Sequence, residues 1–337
     1  MKAVGYHQAL PITHPEALLD LELPAPTPGP RDLLVRVAAV SVNPVDTKVR
    51  KSRQPQAGQP EVLGWDAVGT VEGLGAEVQG FAVGDRVYYA GAINRPGANA
   101  ELHLVDHRIA AHAPARLSDA EAAALPLTAI TAWELLFSRL GVAEGGGAGQ
   151  QLLVMGAAGG VGSILVQLAR QLTQLTVIGT ASRPETQAWV KAQGAHHVID
   201  HSQPLRAQLA ALGVPEVSHI ASLTHTDVHW AALVDVAAPQ GRIALIDDPK
   251  EPLDVMALKR KSLSLHWELM FTRSLFGTPD IAEQGHLLAR VAELADAGQV
   301  RTTVTRELSP INAQQLRLAH AELESGRMRG KLVVSSF

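Results

Sequence analysis

Apolar and polar positions follow two rhythms along the chain. Through about residue 110, short apolar alternations are broken by proline and glycine, as in DLLVRVAAVSV, AVGTVEGLG, GDRVYYA and AELHLV. This texture predicts a compact β-rich unit with many turns. From Ser118 the rhythm changes. Ser118, with Glu121 three residues on, reads as a capping box, and TAITAWELLFSRL carries helical periodicity up to Gly141. After the glycine-rich EGGGAGQ, the strand-like runs QLLVMGA, LTVIGTAS, HHVID, VSHIASL, GRIALID and SLSLHWELM alternate with mostly helical patterns. Strands separated by helices predict a doubly wound parallel sheet, and six of them suit a complete dinucleotide-binding fold. Beyond about Phe271, IAEQGHLLARVAELADAG and NAQQLRLAHAELESG read as helices, and GKLVVSSF closes the chain as a strand.

The sharpest motif is GAAGGVGSILVQLARQL, Gly156 to Leu172. A Leu/Val-rich strand runs into glycines, and a helix follows with Ile164, Leu165, Leu168 and Leu172 on one face. Gly159 lets the backbone approach a pyrophosphate, Gly162 lets the helix pack on the strand, and the helix amino terminus offers free N–H groups to phosphates. Ala157 stands where the usual GxGxxG has its first glycine, so the context of strand, turn and helix carries the assignment. Ala157, Gly159, Gly160, Val161 and Gly162 are therefore candidate cofactor contacts. An Asp or Glu about 20 residues further on would hold the ribose 2′-hydroxyl of NAD. Here the stretch is IGTASRPET, in which Ser182 and Arg183 could instead receive a 2′-phosphate, so NADP(H) is the expected cofactor. Ligands sit beyond the carboxyl ends of parallel strands, which adds Leu223 and Asp247.

Composition narrows the field. At 337 residues the chain exceeds the roughly 250 at which single cores stop growing, so two domains are expected. With 46% hydrophobic and 18% charged residues it is globular, and its net charge of -4 without a sustained basic run excludes an electrostatic footprint for nucleic acid or an anionic membrane. The amino terminus lacks a signal peptide's apolar core, and no run of about 18 apolar residues occurs, so a cytoplasmic protein is expected. With Cys 0, disulfides and thiolate zinc sites are excluded. Among 14 histidines, His225 and His229 would share a helix face near His219, but no carboxylate completes a metal triad.

SVNPVDTKVR, LGWDAVGTVEGLG, GFAVGDRVYY, AAALPLTAITAWELL and GAAGGVGS, in this order, resemble the medium-chain dehydrogenase/reductase superfamily in its quinone oxidoreductase branch, and most of all proteins labelled zinc-type alcohol dehydrogenase-like. The resemblance implies an α/β protein: a GroES-like β-rich catalytic domain over 1–125, completed by 271–337, with a Rossmann domain over 126–270. It further implies an active site between the domains, homodimerisation near SLSLHWELM, and hydride transfer between nicotinamide C4 and a carbonyl, quinone or conjugated alkene.

It also places the catalytic zinc ligands of zinc-dependent relatives at Asn43, Trp65, Asp66 and Leu127. One carboxylate cannot hold zinc alone, so a zinc-free enzyme is expected. Something else must then stabilise the charge developing on the acceptor. Asn43 as an amide donor, Lys48 as a cation or, if burial lowers its pKa, a proton donor, and Asp66 orienting such donors are the catalytic candidates. Many relatives carry a tyrosine at the position of Lys48. Thr131 matches a threonine beside the nicotinamide ring, His201 the position of an aromatic beside the adenine, and Lys331 a lysine reaching toward the cofactor. Trp65 and Phe271 would line the substrate pocket. Three activities stay open: an NADPH-dependent, zinc-independent reductase of quinones or α,β-unsaturated carbonyls; an alcohol dehydrogenase with an atypical metal site; and an NADPH-binding protein without useful turnover.

Overall fold

The structure, a computed structural model, describes residues 1–337. The chain divides into two compact units, Met1–Ile130 with Phe271–Phe337, and Thr131–Met270. The first boundary falls at 130, past the expected 125, because the helical stretch that begins at Ser118 runs through it.

The first unit opens with β1 (Lys2–Tyr6), β2 (Leu19–Glu22), β3 (Asp32–Ser41), α1 (Pro44–Ser52), β4 (Glu61–Val62), β5 (Ala67–Leu74), β6 (Arg86–Tyr89), β7 (Leu102–Asp106) and β8 (Ala110–His112). Alternation encloses Leu33, Val35, Val37 and Ala39 on one face of β3, and toward its end Val40 and Ser41 are buried as well. β3 organises its sheet: β5 runs along one side, while β7 pairs with residues Asp32 to Arg36 on the other. The helix α1 departs from the expected all-strand texture. Its signal was present in sequence, since Pro44 opens it and Asn43 with Asp46 forms a capping box. Arg50 anchors α1 from a fully buried position, donating to the Leu10 carbonyl and to Glu324.

Helix formation then follows the capping box of Ser118 and Glu121, giving α2 (Asp119–Ala123) and α3 (Pro126–Trp133), with a π-helical turn over Glu134–Arg139. Pro126 lacks an N–H and restarts the helix instead of continuing it. The stretch Asp119–Arg139 is long and apolar enough to cross a membrane by length and composition, but it is mostly buried within the protein, as a core helix is.

In the second unit β9 (Gln151–Met155), α4 (Gly160–Leu172), β10 (Thr176–Thr180), α5 (Pro184–Ala192), β11 (His197–Ile199), α6 (Leu205–Ala211), β12 (Val217–Ser222), α7 (Thr226–Val236), β13 (Ala237–Leu245) and β14 (Ser264–Trp267) alternate. Their sheet order is β11-β10-β9-β12-β13-β14, every pair parallel. This is the 3-2-1-4-5-6 order of a doubly wound dinucleotide-binding sheet. Leu153, Ile178, Ile220 and Ile243 form its core beneath Leu209, Trp230 and Leu233.

The chain returns to the first unit through α8 (Thr272–Phe276), α9 (Glu283–Asp296), β15 (Val304–Leu308), α10 (Ala313–Glu324) and β16 (Lys331–Ser335). β16 lies between β15 and the end of β3, with Val333 opposite Ser41. It is an interior strand, not an edge.

Candidate active site

The residues in the first unit's site meet where β3 ends and β5 and β16 begin. Ser41 closes β3, Asn43 caps α1, Asp66 precedes β5 and Lys331 opens β16. Asn43, Asp46, Asp66 and Lys331 are all at most 3% exposed. Buried charges require partners, and each has them. Asp66 Oδ2 accepts the Asn43 carboxamide N–H at 3.1 Å and lies 3.2 Å from Lys331 Nζ, while Oδ1 accepts the Leu127 N–H at 3.1 Å. Leu127 is in the first turn of α3, so a helix amino terminus also faces this carboxylate. Lys331 Nζ donates to the Val42 carbonyl at 3.1 Å and to Asn43 Oδ1. Asp46 accepts the Asn43 N–H at 2.6 Å and the Gly64 N–H at 3.1 Å.

Burial raises the Asp66 carboxyl and lowers the Lys331 ammonium, and their mutual attraction opposes both shifts. Three acceptors around Nζ match the three hydrogens of an ammonium, which a neutral amine cannot supply, so the arrangement suits the charged pair. Asp46 is pushed up to about 7, by burial first and then by the neighbouring Asp66, against the Asn43 and Gly64 amides and Lys331.

These contacts redistribute the expected roles. Both hydrogens of the Asn43 carboxamide are taken, one by the Ser41 carbonyl at 3.2 Å and one by Asp66, so none is left to polarise a substrate. Lys48 is exposed on α1, without the burial its proton-donor role was to draw on, and the cation on Asp66 is Lys331. Lys331 itself is enclosed by Val42, Asn43 and Asp66 where a reach toward cofactor was expected. Trp65 and Phe271, expected to line a pocket, are 1% and 2% exposed and meet edge to face, with ring centroids 6.2 Å apart. Trp65 Nε1 donates to the Ala92 carbonyl at 3.2 Å. They shape the loop by packing.

Zinc does not fit the four positions. Asp66 is their only carboxylate, its oxygens are hydrogen-bonded, and a fixed ammonium beside it repels a second cation. No group of three or more His, Asp or Glu side chains is arranged to hold a metal ion. His225 lies outside α7, the helix that carries His229. It precedes the helix in left-handed backbone and pairs with the Thr224 hydroxyl at 2.7 Å, while the His229 ring meets His201 at 5.7 Å.

In the second unit Gly156 follows β9 at φ 74° and Gly159 caps α4. A Cβ on Gly162 would lie 2.6 Å from the Gly156 carbonyl oxygen, so only glycine permits this approach of helix and strand, whereas at Gly159 the nearest atom would be 3.5 Å away. Ala157 is buried, and Gly160, Val161 and Gly162 form the first turn of α4. The N–H groups of this first helical turn are the kind of donors that suit a phosphate. Leu223 follows β12, and its Cβ would lie 3.8 Å from a Cβ on Gly156, placing it at the same sheet end. Thr131 is buried in α3. Ser182 and Arg183 follow β10, where Arg183 pairs with Glu185 at 3.1 Å on the surface. Asp247 follows β13, and its carboxylate holds the Thr226 N–H at 2.9 Å and the Thr226 hydroxyl, bracing the start of α7.

A GroES-like β unit and a six-stranded doubly wound sheet with a glycine-rich turn in one chain define a dehydrogenase/reductase architecture. The Alcohol dehydrogenase GroES-like domain family matches residues 29–115 and the Zinc-binding dehydrogenase family residues 193–334. A zinc-type alcohol dehydrogenase-like protein of Staphylococcus aureus is 39% identical, covering 99% of this chain and 100% of the relative. A quinone oxidoreductase of Pseudomonas aeruginosa is 31% identical, covering 95% and 96%. A crystal structure from Rhizobium etli CFN 42, provisionally described as a zinc-dependent alcohol dehydrogenase, is 58% identical with a TM-score of 0.96 over 100% of this chain and 98% of that one. A mycobacterial protein complexed with NADPH is 28% identical at TM-score 0.83, covering 99% of each chain, and an NAD-dependent alcohol dehydrogenase 27% at 0.84, covering 100% of each. The chain belongs to the medium-chain dehydrogenase/reductase superfamily, in its quinone oxidoreductase branch, and is an oxidoreductase of that superfamily.

Proposed function

We propose that this oxidoreductase uses NADPH, without zinc, to reduce a quinone or an α,β-unsaturated carbonyl. The observation that carries the reading is the Asp66–Lys331 ion pair, which fills the place where zinc-dependent relatives are expected to bind metal. The cofactor would bring a hydride at nicotinamide C4. The amides of Gly160, Val161 and Gly162 would hold its pyrophosphate at the amino terminus of α4, and Ser182 with Arg183 would hold the 2′-phosphate. No carboxylate stands directly at the end of β10 to bind a free 2′-hydroxyl, and the Arg183–Glu185 pair is exposed, so it exchanges partners at little energetic cost. A relative solved with NADPH supports this choice, while a relative named for NAD makes the comparison of cofactors the deciding one. Thr131 would flank the nicotinamide and His201 the adenine. With the Asn43 hydrogens engaged, Lys48 on the exposed side of α1 is the remaining candidate to deliver a proton to the reduced acceptor.

β14 pairs only with β13, leaving its outer edge open, and Trp267 and Leu269 beside it are 54% and 52% exposed. An apolar open edge supports a homodimer paired through β14. The expected setting is the cytoplasm, with no membrane or nucleic-acid partner. Oxidation of NADPH and NADH is to be measured against quinones, enones, aldehydes and ketones, with and without a chelator, alongside metal analysis. Preference for NADPH with quinones or enones and indifference to chelation supports the reading; stimulation by zinc with alcohol turnover, or preference for NADH, overturns it. Tight NADPH binding without oxidation across the whole panel would indicate a binding protein.

A further inference from the structure

The hole around the Lys331 ammonium has the makings of a ligand site independent of the chain that fills it. Three oxygens from separate elements converge there: the Val42 carbonyl at the end of β3, Asn43 Oδ1 at the cap of α1 and Asp66 Oδ2 ahead of β5. The two side-chain oxygens belong to residues fixed by contacts that do not involve Lys331. Asn43 is held through its own N–H on Asp46 and its carboxamide on Ser41, and Asp66 through the Leu127 N–H and the Ser41 N–H, which donates to the Asp66 carbonyl at 2.9 Å. Asp46 lies nearby, its carboxyl group fixed by two backbone amides. One carboxylate, two neutral oxygens and near-complete burial describe a receptor for a single small monocation that donates three hydrogen bonds.

We propose that Val42 O, Asn43 Oδ1 and Asp66 Oδ2 form a preorganised primary-ammonium site, filled by Lys331 in the intact chain and able to take a free alkylammonium ion when that side chain is shortened. The tethered cation acts as a positioning element. It holds the Asn43 carboxamide in one orientation and keeps Asp66 set against the first turn of α3, the helix that also carries Thr131. This assignment goes beyond the choice of cofactor and acceptor and stands whichever of these is correct.

The test is chemical rescue of Lys331→Ala. Removing one partner of a buried pair lowers Tm by roughly 10 °C. Ethylammonium or propylammonium at about 100 mM, acting on a site with Kd of about 10 mM, returns roughly 4 °C of that loss in a saturable way. Tetramethylammonium at equal ionic strength, which has no hydrogen to donate, returns none, and the wild-type protein responds equally to both salts. The same alkylammonium ions restore whatever turnover the variant has lost, with the same concentration dependence. Equal gains from tetramethylammonium, or no saturable gain, overturn the assignment. If Lys331→Ala does not fold, the double variant Asp66→Asn/Lys331→Met decides: it is more stable than Asp66→Asn alone if the cation serves Asp66, and no more stable if the two residues are not coupled.

Discussion

Phe271, the first residue of the segment that returns to the first unit, meets the ring of Trp65 edge to face at an interplanar angle of 76°. The contact ties the returning chain to the loop that carries Asp66. Trp65→Ala is expected to lower stability by about 3 to 5 kcal/mol, as for a large core aromatic. Phe271→Leu should cost about 1 to 2 kcal/mol while leaving acceptor KM unchanged. Denaturant titration and steady-state kinetics check both. A shifted KM at unchanged stability would return the two rings to the substrate pocket.

Two glycines three residues apart separate packing from binding. Gly162→Ala forces a Cβ to 2.6 Å from a carbonyl oxygen and is expected to destabilise the second unit. Gly159→Ala meets nothing nearer than 3.5 Å at an ordinary φ of -71°, so its Tm should stay near wild type. Its added methyl group nevertheless occupies the approach of the pyrophosphate, and NADPH Kd should rise about tenfold or more, equivalent to about 1.4 kcal/mol. Differential scanning fluorimetry with and without NADPH distinguishes the two.

Cofactor choice should respond to the surface pair after β10. Arg183→Ala is expected to weaken NADPH binding by about tenfold and leave NADH nearly unaffected. Glu185→Ala removes one competitor for the guanidinium and should strengthen NADPH binding modestly. Calorimetric titration of each variant with both nucleotides gives the answer, and equal effects on NADPH and NADH would remove Arg183 from the 2′-phosphate site.

The pH dependence follows from Asp46. An acid whose pKa is raised by folding binds its proton more tightly in the native state. With Asp46 pushed up from the usual carboxylate range to about 7, its contribution to stability is most favourable below about pH 4, declines between about pH 4 and 7, and is level above. Asp46→Asn carries no ionisable group, so its stability relative to wild type should improve across that interval, by on the order of 4 kcal/mol in total. Urea denaturation at several pH values follows the difference, and a difference that is flat with pH would rule out this ionisation.

The β-strand and helix rhythms were legible in sequence because the second unit buries its strands on both faces and its helices on one. The six strand runs, the Ser118 cap and the glycine cradle all belong to this local kind of information. β13 begins at Ala237, ahead of the expected GRIALID run, since pairing with β12 extends it past the apolar stretch. The helix α1 was readable from Asn43, Pro44 and Asp46, but short apolar alternations on either side masked it. What no local pattern carries is the partner of Asp66. Lys48 and Lys331 were equally plain as lysines, and only the pairing of β16 with β3 brings the second to the carboxylate and leaves the first outside.

That pairing also orders events in time. β3 and β5 emerge early from a ribosome, yet the strand that lies beside the end of β3 and supplies the counter-charge to Asp66 is made only after the whole second unit. Until residues 331–335 are available, Asp66 has no lysine and the β3 edge beside it is open, which is the condition under which nascent sheets recruit the wrong neighbour. The last strand is thus a latch: the final element of the chain closes an edge formed by one of its first.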